Sequence, residues 1–151
     1  MFVSTRLSDG ARTGLPGYLE IIVRENVGHD FMSYKVGLFE LGDWEVYDEV
    51  LFVNDSFVTL NPDRLLAALG ATAFVNTDVW GLTGSHEKGF HLQSYFLGIR
   101  KSALTHPAFH RFWADVEVLA DKRDIIRQYE RGLSVRLQAA GLSLHAVFAA
   151  T

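Results

Sequence analysis

The sequence predicts a single α/β domain, and three observations carry that expectation. Short apolar, partly β-branched runs recur along the chain. Between them lie segments whose apolar residues repeat at helical spacing. The chain has 151 residues, 48% of them hydrophobic and 13% aromatic, enough for one real core.

Taken in order, Phe2 to Leu7 is a short strand candidate, followed by a Gly- and Pro-containing loop through Gly17. Tyr18 to Val23 is an apolar strand. Phe31 to Leu41 places Tyr34, Leu38 and Leu41 on one helical face. Val50 to Val53 reads as a buried strand ending in Asn54-Asp55-Ser56. Asn61-Pro62-Asp63 then opens a helix, with Asn61 as its cap and Pro62 in its first turn. Asp78 to Thr83 and His91 to Arg100 are further strands, separated by the Gly84 to Gly89 loop. Pro107 starts a helix in which Phe109, Phe112, Trp113 and Val116 follow the i, i+3, i+4, i+7 rule. Asp124 to Ala140 is a last helical region, broken near Gly132 and capped by Gly141. Leu142 to Phe148 returns as a strand.

Composition narrows the function. A formal charge of −4 argues against a partner nucleic acid, because a phosphate-tracking protein concentrates Lys and Arg. Without cysteine there is neither a disulfide framework nor a thiolate metal site. The first residues show no signal-peptide pattern, and no apolar run is long enough to span a bilayer, so a cytoplasmic location is expected.

Four polar blocks can carry chemistry. Asn54-Asp55-Ser56 closes a strand at its carboxyl end, where open α/β sheets bind ligands. One carboxylate between two neutral oxygen ligands suits a hard cation, Mg²⁺ or Mn²⁺, that also holds phosphates; a simple Asx turn is the alternative reading. Upstream, Asn26-Val27-Gly28-His29-Asp30 joins a strand to a helix. Gly28 would let backbone approach a ligand, and Asp30 would either cap the helix or bond a ribose or sugar hydroxyl. Downstream of Asp78, strand alternation turns His91, Gln93 and Tyr95 to one face, and Leu92, Ser94 and Phe96 to the other. The first face suits a hydroxyl-rich ligand or, equally, solvent. Glu130, at the expected start of a helical segment, would stay ionised in the positive end of the dipole and could act as general base; ordinary helix-start preference explains it as well. The six histidines form no metal-binding pattern, and no glycine-rich phosphate loop is present.

In this order the blocks resemble the rhamnan-synthesis protein F family, glycosyltransferase-like proteins of cell-surface polysaccharide assembly. The likeness runs from about Ile21 to Gly141. It rests on Glu25-Asn26-Val27-Gly28-His29-Asp30, Val53-Asn54-Asp55-Ser56, Trp80-Gly81-Leu82-Thr83, His91-Leu92-Gln93-Ser94-Tyr95-Phe96 and Tyr129-Glu130-x-Gly132-Leu133-Ser134. The order is also distantly similar to family 2 glycosyltransferases, which have the GT-A fold. The resemblance implies a GT-A-like, Rossmann-like, mostly parallel sheet flanked by helices. It further implies that this chain enters at the second strand, near Phe2, without the first strand and helix. In a 3-2-1-4 order that would leave two neighbours unpaired.

The resemblance also implies roles. A sugar, rhamnose or a similar hexose, would move from a nucleotide-diphosphate donor to a cell-surface polysaccharide or its lipid-linked precursor. Donor contacts would fall to Asn26, Gly28, Asp30, Asn54, Asp55 and Ser56, with a divalent cation on Asp55. Acceptor contacts would fall to Asp78, His91, Gln93, Ser94 and Tyr95, and Glu130 would be the base. Such an enzyme would work at the inner face of the membrane by peripheral association. The rival expectation is a non-catalytic glycan-binding or assembly module on a degenerate version of the same fold.

Overall fold

The structure is a computed structural model that describes residues 1–73 and 75–148. Strand β1 (Phe2–Ser4) precedes a short helix α1 (Asp9–Thr13), β2 (Ile21–Val23) and helix α2 (His29–Leu41). A 3₁₀ turn at Trp44–Val46 leads into β3 (Glu49–Val53) and helix α3 (Pro62–Thr72). Three strands follow, β4 (Val79–Ser85), β5 (His91–Leu92) and β6 (Phe96–Arg100), then helices α4 (Lys101–Leu104) and α5 (Pro107–Asp115). Helix α6 (Lys122–Ile125) runs through a π-helical turn, Ile126–Glu130, into α7 (Arg131–Ala139), and β7 (Leu144–Phe148) ends the described chain.

The expected mostly parallel, Rossmann-like GT-A sheet does not form. Strands β1 and β2 make a separate two-stranded parallel sheet. In the five-stranded sheet β3–β6, β4–β6 and β4–β5 pair antiparallel, and only β4–β7 is parallel. The physical reason lies in the connection after β4. A parallel return needs a crossover of a dozen or more residues, usually a helix, and residues 86–90 provide only a hairpin loop. The strand-helix alternation read in the first half of the chain therefore does not extend to the second.

The returning strand of that hairpin is broken. Gly81 faces Leu97 and Gly84 faces Leu92, so two residues of β4 oppose four residues, Gln93 to Phe96, on the other side. Such a bulge bends the strand and re-aims side chains. Here it displaces Ser94 and Tyr95 from a regular ladder, at the residues that matter most below.

Helices cover both faces of the large sheet. On one face Phe31 and Leu38 of α2, Phe109, Phe112 and Trp113 of α5, and Leu133 and Leu137 of α7 close the main core over Phe52, Val79, Leu97 and Ile99. Trp113 is fully buried, its ring centroid 5.9 Å from Phe31 and 5.2 Å from Phe52. On the other face Leu65 and Leu69 of α3 pack with Phe57 over Trp80, Leu82 and Phe96. The Trp80 indole lies directly on its cross-strand neighbour Gly98, where a Cβ would meet the ring at 2.2 Å, and donates to Glu49 Oε1 at 2.7 Å. Helix caps follow the sequence chemistry: Asn61 accepts from Arg64 N, Asp121 from Arg123 N, and Pro62 and Pro107 sit in first turns.

Candidate functional site

The carboxyl ends of β2 and β3 meet although their sheets are separate. Asn54, just past β3, donates from Nδ2 to Asp30 Oδ2 in the first turn of α2, at 2.9 Å. Its Oδ1 accepts from Ser56 N at 2.9 Å, which is an Asx turn. Both ends of the Asn54 amide are thereby engaged. Asp55 is exposed, and among the described residues its carboxylate makes no hydrogen bond or ion pair. Asp30, Asn54 and Asp55 border a cleft of about 760 Å³, which Asn26, Arg24, His29, Ser33 and Tyr34 also line.

Arg24 builds one wall. Its guanidinium donates to the carbonyls of Glu25, Val27 and His29 and to Ser33 Oγ, so the loop from Arg24 to His29 is tied around a single side chain. Burial lowers the Arg24 pKa, against the pull of Asp30, which raises it. Gly28 has φ +71°, a region costly for a side chain, and its Cβ would meet Met32 Cβ at 2.9 Å. Gly28 is buried, where its missing side chain serves the turn and its packing. His29 follows at φ 52°, one of the described non-glycine residues in that strained region.

Helix α2 carries the link to the second half of the chain. The Tyr34 hydroxyl donates to Ser94 O at 2.9 Å. The backbone N and the Oγ of Ser94 in turn both donate to Glu130 Oε2, at 2.9 and 2.6 Å. Burial first, then the negative charges of Asp30, Glu130 and Asp55, push the Tyr34 pKa far up, so its proton stays on. Tyr34 thus lies in the negative field of three carboxylates, and Arg24, the cation beside Asp30, is already committed to backbone carbonyls.

Glu130 is not at a helix start. The helix begins at Asp121, and Glu130 closes the π-helical turn inside it, so the dipole argument made from sequence fails there. Pinning replaces it. Tyr129 donates from its hydroxyl to Glu117 O at 2.9 Å and accepts from Glu117 N at 2.8 Å. The widened turn then aims Glu130 at Ser94. Single π-turns inside α-helices are frequent at functional sites.

The expected acceptor residues divide. Ser94 joins the cluster, as just described. Gln93 and Tyr95 share Thr83 Oγ1, which donates to Gln93 Oε1 at 2.5 Å and lies 2.8 Å from the Tyr95 hydroxyl. That strand face satisfies its own polar groups. His91 is buried, with Nδ1 3.0 Å from Gly89 O. Asp78 sits at the other end of the sheet from Asp55, since β4 starts level with Val50 and Asp55 follows Val53. Its carboxylate takes Ser102 Oγ on Oδ1, and Ser143 N and Oγ on Oδ2, tying β7 to β4. Burial opposes ionisation of Asp78, but those hydrogen bonds outweigh it and hold its pKa below the ordinary carboxylate value.

Sequence reasoning missed Tyr34, Thr83 and Arg24. Tyr34 fits the apolar helical stripe perfectly well, and nothing in the spacing shows that its hydroxyl reaches Ser94 across 60 positions. A divalent cation finds a limited fit. Among the described residues no three His, Cys, Asp or Glu side chains converge on one point, so a cation at Asp55 needs its other ligands from a bound phosphate.

A domain with an acidic, tyrosine-centred mouth between two sheets fits a polar-ligand site at strand ends. The family model of rhamnan synthesis protein F matches residues 1–151, and the chain belongs to that family. It is similar to an uncharacterized protein, y4gN, of Sinorhizobium fredii, at 26% identity over 143 residues, covering 91% of this chain and 37% of that protein. It is also similar to the virulence protein VirA of Vibrio anguillarum, at 30% identity over 132 residues, covering 80% of this chain and 40% of that protein. The chain thus spans about two-fifths of the length of these curated relatives. No solved structure matches it. Among the described residues, no helix is long and apolar enough to cross a membrane.

Proposed function

We propose that this domain transfers a sugar, rhamnose or a similar hexose, from a nucleotide-diphosphate donor to a glycan or lipid-linked glycan acceptor. Membership of a rhamnan-synthesis family supports the polysaccharide role. The observation that carries the catalytic reading is the hydrogen-bond chain that starts at Tyr34, which lines the cleft beside Asp30 and Asp55, and runs through Ser94 to the Glu130 carboxylate. An acidic mouth with its one nearby arginine already engaged repels a diphosphate unless a cation bridges them. Asp55 would therefore hold Mg²⁺ or Mn²⁺ together with the donor phosphates, and the cation would neutralise charge on the leaving diphosphate. Asp30, its position fixed by Asn54, and Asn26 would face the sugar or ribose hydroxyls. Glu130 keeps one carboxylate oxygen on Ser94 and offers the other to the acceptor hydroxyl as general base.

Calorimetric titration with nucleoside diphosphates tests the donor half of this reading. Binding should need Mn²⁺, and Asp55→Ala should weaken the Mn²⁺-dependent binding at least tenfold, about 1.4 kcal/mol. Equal binding by wild type and Asp55→Ala in the presence of Mn²⁺ would remove Asp55 from the site.

A further inference from the structure

Ser94 sits between β5 and β6, outside the strand ladders, and its polar groups all go to other elements. Its N–H and its hydroxyl both donate to Glu130 Oε2, at 2.9 and 2.6 Å. Its carbonyl accepts from the Tyr34 hydroxyl at 2.9 Å. Among the described residues the Glu130 carboxylate makes no other hydrogen bond or ion pair, so Ser94 alone fixes its direction.

Two helices hold this stretch. Glu130 and Ser134, four residues apart, accept from the amides of Ser94 and Leu92, which lie two residues apart in extended chain. From α2 comes the Tyr34 hydroxyl. Asp30, four residues before Tyr34 and so on the same face of α2, accepts from Asn54 Nδ2 at 2.9 Å. Asn54 N in turn donates to Tyr95 O at 3.1 Å. Asp30, Asn54, Tyr95, Ser94 and Tyr34 therefore close one ring, and Glu130 branches from it at Ser94.

In that ring the Tyr34 hydroxyl is separable from the Tyr34 ring. The ring packs on Phe52 at 5.0 Å and Phe31 at 6.0 Å between centroids, contacts that a phenylalanine would keep. The hydroxyl adds direction instead. Burial first, then the neighbouring carboxylates, keep its proton on, so it remains a donor. Peptide groups are rigid planes, and holding the Ser94 carbonyl limits the rotation by which the Ser94 amide could leave Glu130.

We infer that Tyr34 is a positioning residue for Glu130: through the Ser94 carbonyl, its hydroxyl holds the carboxylate with Oε1 free and ties it to the Asp30–Asn54 end of the cleft. The inference rests on the base role proposed for Glu130. Tyr34 itself touches no reacting group in that reading. It acts on alignment, where a small misplacement is enough to slow a reaction.

Tyr34→Phe separates positioning from packing. The Ser94 amide should exchange at least about tenfold faster in this variant, while the Leu92 amide, still bound to Ser134, changes less than about twofold. The kcat of transfer should fall at least about fivefold with the donor KM within about twofold of wild type. Unchanged exchange at Ser94, equal acceleration at Ser94 and Leu92, or an unchanged kcat overturns the inference. Glu130→Gln leaves α2 untouched and gives a second reading that does not depend on the folding of Tyr34→Phe. By magnetic resonance the Tyr34 hydroxyl proton should exchange slowly in the wild type and shift in Glu130→Gln. A rapidly exchanging or unshifted hydroxyl proton overturns the inference as well. A wild-type chain that transfers no sugar defeats the transfer reading, and the exchange and hydroxyl measurements then still decide whether Tyr34 orients Glu130.

Discussion

Asp78 shows how a carboxylate marked for chemistry by its position in the sequence can be spent on architecture. Three hydrogen bonds from Ser102 and Ser143 hold it ionised and fasten β7 beside β4. Its folded pKa lies below the unfolded value, so the stabilisation is complete above the ordinary carboxylate range and is lost as pH falls through the folded value. Asp78→Asn should therefore lower stability by about 1–2 kcal/mol at pH 7. The gap between variant and wild type should close on acidification, and urea unfolding at several pH values reads both. Gly98 is the steric counterpart. Its lack of a Cβ admits the Trp80 indole, so Gly98→Ala should cost about 1–3 kcal/mol with the same assay as readout. Nothing in the residue pattern signals this contact, since a glycine in a strand is equally consistent with a bulge.

At the level of elements, the helices and most strands were legible, while their interruptions were not. Apolar spacing located α2 and α5, and Asn61-Pro62 located the start of α3, because local chemistry alone sets these features. The bulge after β5 and the π-turn before α7 each depend on a partner far along the chain. Ser94 leaves the ladder and meets Glu130, which only a widened helical turn can aim at it. The break expected near Gly132 falls inside α7, and the interruption is instead the π-turn just before it, Ile126–Glu130. Tyr129 holds the turn through both backbone groups of Glu117. Tyr129→Phe should cost about 1–2 kcal/mol in thermal or urea unfolding. If the turn positions Glu130, the same change should also lower any transfer rate while nucleotide binding persists. An unchanged rate in a destabilised variant would make the π-turn purely structural.

For the whole molecule, alternation of strands and helices suggested one parallel sheet, and that arrangement is wrong. The hairpin after β4 turns the second half antiparallel, and β1–β2 stand apart. The site did not need the shared sheet. Asp30 and Asp55 still meet because β2 and β3 each end in a polar loop, and Asn54 bridges the two. Asn26, Asp30 and Asp55 line the cleft, Ser94 and Glu130 connect to it through Tyr34, and Asp78, His91, Gln93 and Tyr95 are hydrogen-bonded within the fold. Periodicity could separate the two faces of the β5–β6 segment but could not show that Thr83 waits to satisfy one of them.

The central claim is that this mouth moves a sugar and that Glu130 takes the acceptor proton. Release of nucleoside diphosphate from a panel of nucleotide sugars, rhamnose donors included, measures it in the presence of Mn²⁺ and a glycan acceptor. Glu130→Gln keeps the size of the side chain and its acceptance of the Ser94 hydrogen bonds while removing the base. The rate of transfer should fall by about 10²–10⁴ with nucleotide binding unchanged. A Glu130→Gln protein that retains more than about a tenth of the wild-type rate, a loss below ~1.4 kcal/mol, would contradict the assignment.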